Sequence, residues 1–303
     1  MIMKTNKTLL VGLFNMAALC VSIASVQAQA GVAATNAAIP TPVPPGTAAR
    51  VMIHFSSLDA SQPFQVSGTL YLPTNISGPY PAVVLIHAAT GIDARGVRYR
   101  EPIVQAGMAV LEVDFKTGVF DSYLKLPRNG SFVPMAFAAL KELRKLPAID
   151  PKRIGIMGFS LGGGVALRTG MEINRKTWLG DEPGFATHAA FYPVSKFVIM
   201  QLENTGSELT GAPMIVFYGT ADCYGEGKAV PELKRLLATK HHFELTTVAY
   251  PGAPHAFDLD APACSFPDPT AADGKGYPAW DAKAADDALP RVIAFLSKTL
   301  TAK

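Results

Sequence analysis

The sequence predicts an α/β chain, with a mostly parallel central sheet, helices on both faces and no large cap domain. Three observations carry this. Short apolar runs without alternation, such as residues 82–87 and 213–218, read as strands buried on both faces. Amphipathic stretches such as residues 135–145 and 231–240 separate those runs, and strands alternating with helices mean a parallel sheet. The run from Arg153 to Phe159 passes directly into Gly158-x-Ser160-x-Gly162, the spacing of a strand-to-helix elbow.

In chain order, residues 1–30 come first. Lys4 and Lys7 precede an apolar run from Leu9 to Val26, and small residues follow. This reads as a cleavable signal peptide rather than a membrane anchor, so a periplasmic or secreted location is expected, with no stable membrane insertion after cleavage. Leu19 is a poor neighbour for lipidation at Cys20. Residues 31–49, with Pro40, Pro42, Pro44 and Pro45, read as a Pro/Ala-rich linker. Residues 50–303 are expected to form one domain, since a chain of 303 residues that is 49% hydrophobic is ample for a single large core.

Segments 51–56 and 64–72 alternate and are rich in β-branched and aromatic residues, which predicts an antiparallel pair at a sheet edge. Residues 78–81 form a turn and 82–87 a buried strand. Residues 97–105 read as a helix ending at Gly107, and 108–113 as a strand with Asp114 at its end. A long connection, 115–134, holds Asp121 and Arg128. Residues 135–145 are a helix closed by Leu146-Pro147, and Asp150-Pro151 turns into the central strand. Strands at 186–192 and 213–218, a helix at 231–240 and a strand at 242–250 follow. The closing helix, 280–300, is expected to kink at Pro290. The stretch between Tyr192 and Gly211 is too short for a sizeable cap.

The formal charge is +3, and losing Lys4 and Lys7 with the leader leaves 25 bases against 24 acids. No basic stripe is interleaved with aromatics, so nucleic acid is not an expected partner. Cys223 and Cys264 remain in the mature chain. In an oxidising compartment the pair is expected to form a disulfide, with two thiols as the alternative. It would close a loop of about 41 residues and add on the order of 4 kcal/mol.

The elbow spacing has a chemical reason. A serine hydroxyl is a weak nucleophile and must stand clear of the sheet to meet a base and a substrate carbonyl. The tight turn that lifts it leaves no room for Cβ atoms at Gly158 and Gly162. Ligands in such a sheet sit outside the carboxyl ends of its strands. After Ser160, those ends offer an acid at Asp222 and a base at His255, in the order nucleophile, acid, histidine. His255 would take the Ser160 proton, and Asp222 would hold the imidazole tautomer. Asp258 and Asp260 are rival acids, but they follow His255 so closely that a turn role is favoured. The oxyanion needs two backbone donors. Leu161 is expected to supply one and Ala89, with Ala88 second, the other, while His87 braces that loop. Phe159, Tyr192, Tyr224 and the 115–134 connection are expected to line the pocket. No HExxH and no G-x-G-x-x-G after a strand is present, so neither a metal nor a dinucleotide cofactor is expected.

With these residues placed, the chain resembles the dienelactone hydrolase family of α/β-hydrolases from about Phe64 to Leu300. The resemblance rests on the run from Ile154 to Gly163, on Tyr218-Gly219-Thr220-Ala221-Asp222, on the run from Tyr250 to Phe257, and on the tail from Tyr277 to Leu296. It implies Ser160, Asp222 and His255 as triad, with Ala89 and Leu161 as oxyanion donors. Three departures stand out. The namesake enzymes carry cysteine where this chain has Ser160, and glutamate at the position of Ala88. Their substrate-holding arginine just after the histidine motif is unmatched, since Asp258-Leu259-Asp260 stands there. These point away from chlorocatechol-pathway dienelactones and toward the secreted serine-bearing branch. The expected function is therefore a serine hydrolase of small-molecule carboxylic esters or lactones. Acyl transfer or peptidase action on the same triad, and a non-catalytic binding protein on this fold, are the alternatives.

Overall fold

Strands β1 (Ala49–Ser56) and β2 (Gln65–Leu72) pair antiparallel, as their alternation predicts. β2 also pairs antiparallel with β4 (Ala109–Asp114). β3 (Tyr80–Ile86), β5 (Ile149–Phe159), β6 (His188–Phe191), β7 (Met214–Gly219) and β8 (Thr246–Tyr250) extend the sheet in parallel. The resulting order is β1-β2-β4-β3-β5-β6-β7-β8. A two-stranded hairpin, β9 (Phe266–Pro267) with β10 (Lys275–Gly276), lies outside it. This computed structural model describes residues 49–61, 65–74, 76–115 and 132–301. The leader, the linker up to residue 48 and residues 116–131, with Asp121 and Arg128, lie outside the described residues.

Helices cover both faces because strand side chains alternate. Ala82, Val84 and Ile86 of β3 pack with α2 (Val133–Arg144) in one buried cluster. Val83 and Leu85 of the same strand pack with residues of α1 (Ala94–Gln105) and α7 (Ala282–Leu300) in another. A third cluster joins β7 to α3 (Leu161–Arg168), α5 (Ser195–Thr205) and α6 (Glu226–Lys240). Among the described residues no helix is long and apolar enough to cross a membrane.

The chain runs from β3 outward to β4 and returns to β5 on the other side of β3. This reversal separates the loop after β3 from the turn after β5 and opens a crevice between them, the place where such sheets bind ligands.

Several element expectations need correcting. β5 starts at Ile149, so Asp150-Pro151 lies within the strand rather than in a turn before it. α6 starts at Glu226, five residues before the expected start at Pro231, which lies inside the helix. α7 starts at Ala282 rather than Trp280 and holds Pro290 within it. α5 and α4 (Glu172–Leu179) were not anticipated, because each is short and buries few residues.

Candidate active site

The site starts at the end of β5. Ser160 has φ 50° and ψ −113°, a strained setting for a residue with a side chain. Its N–H donates to Phe191 O at 2.9 Å, which pins the elbow to β6. A Cβ on Gly158 would lie 2.2 Å from Gly162 O, and one on Gly162 would lie 2.5 Å from Ile86 O. These two approaches are the close packing of strand, turn and helix that the motif requires. α3 begins at Leu161, so the Leu161 N–H belongs to the first turn, whose donors the helix ladder leaves over.

The loops after β7 and β8 are joined by backbone bonds. Thr220 N donates to Tyr250 O at 3.0 Å, and Ala221 N to Ala253 O at 3.1 Å. This seam brings Asp222 to His255. His255 Nδ1 lies 2.7 Å from Asp222 Oδ2, and His255 Nε2 lies 3.0 Å from Ser160 Oγ. Asp222 Oδ1 accepts from Tyr224 N at 2.8 Å. A carboxylate only accepts, so Nδ1 carries the imidazole proton and Nε2 takes the Ser160 hydroxyl hydrogen. Asp222 and His255 are both 6% exposed. The His255 ring is held between the edges of Tyr192 and Tyr224, with centroids at 4.7 and 4.5 Å. Ala279 N donates to His255 O from the far side of the hairpin.

The loop after β3 is braced by His87. Phe115 N–H donates to His87 Nε2 at 3.0 Å, so Nε2 must be the acceptor nitrogen. Nδ1 then carries the proton and donates to Ala88 O at 2.6 Å. Both contacts demand the same neutral tautomer. Gly91 N donates to the same oxygen at 3.0 Å. The 88–89 peptide is trans, so fixing Ala88 O on one side turns the Ala89 N–H to the other.

The cysteines depart from expectation. Cys223 and Cys264 are not joined by a disulfide. Cys223 Sγ turns instead to accept from Tyr277 N at 3.2 Å, and burial pushes its thiol up to about 11. Phe159 lines a small cavity with His87, Ile92 and Asp93, as expected, whereas Tyr192 is wholly buried; both pack in an aromatic group with Tyr99 and Phe191. Tyr224 is only partly buried, and its hydroxyl donates to Asp268 Oδ2 at 2.7 Å.

Asp258 lies in a turn, as expected, but its carboxylate does more than serve that turn. It is buried and accepts from Tyr99 Oη at 2.7 Å and from Tyr192 Oη. Its position three residues after His255 marked it, but nothing in the sequence marked its partner Arg95. Arg95 Nη1 donates to Tyr192 Oη at 3.0 Å, while its Nε and Nη2 bind Asp93. Glu226 was also missed. It accepts from Ser195 N at 2.8 Å, pairs with Ser195 Oγ at 2.6 Å, and is pushed up to about 8 by burial. Among the described residues no group of three His, Cys, Asp or Glu side chains is placed to hold a metal.

The sequence profile of the dienelactone hydrolase family matches residues 66–300. Esterase FrsA of Yersinia enterocolitica is 30% identical over 115 residues, which are 38% of this chain and 27% of that protein. The chain thus spans about a quarter of the length of the curated relatives it matches. Among solved structures, esterase 2 of Thermogutta terrifontis phosphorylated by paraoxon superposes with a TM-score of 0.59 at 20% identity, covering 86% of this chain and 98% of that one. The same esterase with butyrate bound gives 0.58 at 19% identity, covering 86% and 97%. A dienelactone hydrolase-like promiscuous phosphotriesterase from metagenomic libraries gives 0.58 at 17%, covering 83% and 99%. At these identities the likeness shows the fold.

Proposed function

This chain belongs to the dienelactone hydrolase family, and from that premise we propose that it hydrolyses small-molecule carboxylic esters or lactones through an acyl-enzyme on Ser160. The observation that carries the reading is the unbroken relay from Ser160 Oγ through His255 to Asp222 at the start of a helix. Ser160 Oγ attacks the carbonyl carbon as its proton passes to His255 Nε2. The negative charge on the carbonyl oxygen is met by the Leu161 and Ala89 N–H groups. The tetrahedral intermediate collapses, the carbon–oxygen bond breaks, and the alkoxide leaves with the proton from His255. Water then attacks the acyl carbon, giving its proton to His255, and the acid departs as Ser160 is reprotonated. Asp222 supports the imidazolium at each transfer. Short acyl groups are the favoured substrates, a reading supported by the butyrate held in the Thermogutta esterase.

The test is hydrolysis of p-nitrophenyl acetate and butyrate by the wild-type chain beside Ser160→Ala. The variant is expected to lose about a thousandfold or more in kcat. Paraoxon is expected to phosphorylate the wild-type chain once, at Ser160, as read by peptide mass spectrometry. Equal rates in both proteins, with labelling elsewhere, would reject the assignment.

We also propose that the chain is exported and cleaved near residue 30, on the strength of Lys4, Lys7 and the apolar run that follows them. Amino-terminal sequencing of the protein from a periplasmic extract tests this; an intact Met1 on the accumulated product would refute it.

A further inference from the structure

We infer that Tyr192 and Asp258 are positioning residues for His255, acting through a buried polar chain that runs Asp93, Arg95, Tyr192, Asp258, Tyr99. The inference rests on the roles proposed above for Ser160 and His255.

The chain of bonds is continuous. Asp93 holds Arg95 through both carboxylate oxygens, Arg95 Nη1 donates to Tyr192 Oη, Tyr192 donates to Asp258 Oδ1, and Tyr99 donates to Asp258 Oδ2. Arg95, Tyr99, Tyr192 and Asp258 are each at most 2% exposed. Burial opposes the charge on Arg95, but the Asp93 and Asp258 carboxylates outweigh it and hold the guanidinium firmly protonated. Burial pushes the Asp258 carboxyl up, against the pull of Arg95 and the two tyrosine hydroxyls. Burying such groups is expensive, and an apolar core of similar volume is often as stable. Stability alone therefore gives a weak reason for this arrangement, and its location supplies a better one.

Tyr192, Asp258, Arg95 and Asp93 each adjoin or touch a segment that holds part of the proposed site. Tyr192 directly follows β6 beside the elbow, and its ring packs edge-on with the His255 ring, centroids 4.7 Å apart. Its φ of 37° is a strained setting for a bulky residue, held by Tyr192 N donating to Phe217 O at 2.7 Å and by the hydroxyl contacts. Asp258 is three residues past His255, and the intervening Ala256 has φ 53°. The histidine loop is thus fixed by the Asp258 carboxylate and by His255 O and Phe257 O, which accept from Ala279 N and Asp281 N, rather than by a regular element. Arg95 lies over the ring of Phe159, the residue before Ser160, at 5.2 Å. Asp93 caps α1 at the end of the loop that carries Ala89. Without the Tyr192 hydroxyl, Asp258 loses its link to β6, and the imidazole can turn away from Ser160 while still bonded to Asp222. The titratable groups facing His255 itself are Asp222, Tyr192 and Tyr224, and those facing Asp258 are Tyr99, Tyr192 and Arg95.

The experiment compares Tyr192→Phe, Tyr99→Phe, Asp258→Asn and the double variant Tyr192→Phe/Asp258→Asn with the wild type on p-nitrophenyl butyrate, each well below its own melting temperature. Tyr192→Phe keeps the ring against His255 and removes only the hydroxyl. The expected result is a kcat loss of roughly 10- to 100-fold with KM within about twofold, the size of effect that small misplacement of a reacting group produces. The double variant is expected to lose no more than the worse single one, because one device is broken twice. A merely structural role would lower melting temperatures and leave kcat in place. A folded Tyr192→Phe with kcat within about twofold of wild type, beside an inactive Ser160→Ala, overturns this inference and leaves the triad standing. If Tyr192→Phe does not fold, Tyr99→Phe, which touches Asp258 from α1 and has no contact with the His255 ring, is judged by the same criterion. Full activity in Ser160→Ala overturns the triad and this inference with it.

Discussion

Single residues set the reaction's geometry here, and His87 shows how indirectly one can do so. Its neutral tautomer is fixed by Phe115 N–H on one nitrogen and Ala88 O on the other. His87→Ala is expected to free the 88–89 peptide and reduce kcat by roughly 10- to 100-fold, less than outright loss of an oxyanion donor. His87→Gln, which offers an acceptor and a donor in similar places, should recover part of it; kcat and KM on p-nitrophenyl butyrate decide this. Gly162→Ala is expected to abolish soluble expression or activity, since its Cβ would lie 2.5 Å from Ile86 O. Ser160, Asp222 and His255 were legible because chain order and strand ends restrict each role to few positions, and these three do meet. Arg95 was not legible. An arginine in the first turn of a helix reads as solvated, and only the fold shows it 2% exposed with two carboxylates near it. The cysteines misled because loops that converge at a site need not aim two Sγ atoms at each other.

Elements were legible where their pattern was strong and lost where tertiary contacts decide them. The buried strands β3 and β7 carry unbroken apolar runs, β4 carries one interrupted only at Glu112 and β5 one from Ile154 onward, and the sequence locates each within a few residues. α5 has no such stripe; its start is fixed by Glu226 of α6, which accepts from Ser195 N and pairs with Ser195 Oγ. That contact gives a pH prediction. Glu226 is pushed up to about 8 by burial, from an ordinary 4.5, so the folded chain holds a proton there that the unfolded chain has released. Its contribution is fully present below about pH 4.5 and fades as the pH rises through about 8, by on the order of a few kcal/mol. Glu226→Gln mimics the protonated carboxyl and cannot titrate. The fall in Tm between pH 5 and 9 is expected to be shallower in that variant than in the wild type, as scanning calorimetry would read.

At the scale of the molecule, the sheet order explains both the stability gradient and the site. β3, β5, β6 and β7 are flanked by strands on both sides, whereas β1 has one neighbour and the β9–β10 hairpin stands apart. Amide exchange followed by mass spectrometry is expected to be slowest in β3, β5, β6 and β7 and fastest in the hairpin and β1. The fold class was legible because alternation of strand and helix admits few architectures. The pairing of loops across the sheet was not, since the backbone seam between residues 220–221 and 250–253 has no signature in either segment alone. The relay joins residues 95 and 33 positions apart in the chain. A ribosome makes Ser160 before His255, so a nascent chain that stops between them holds the serine without its imidazole partner. On the proposed mechanism the relay first becomes possible once the chain has grown past His255, well after the strand and elbow that hold Ser160.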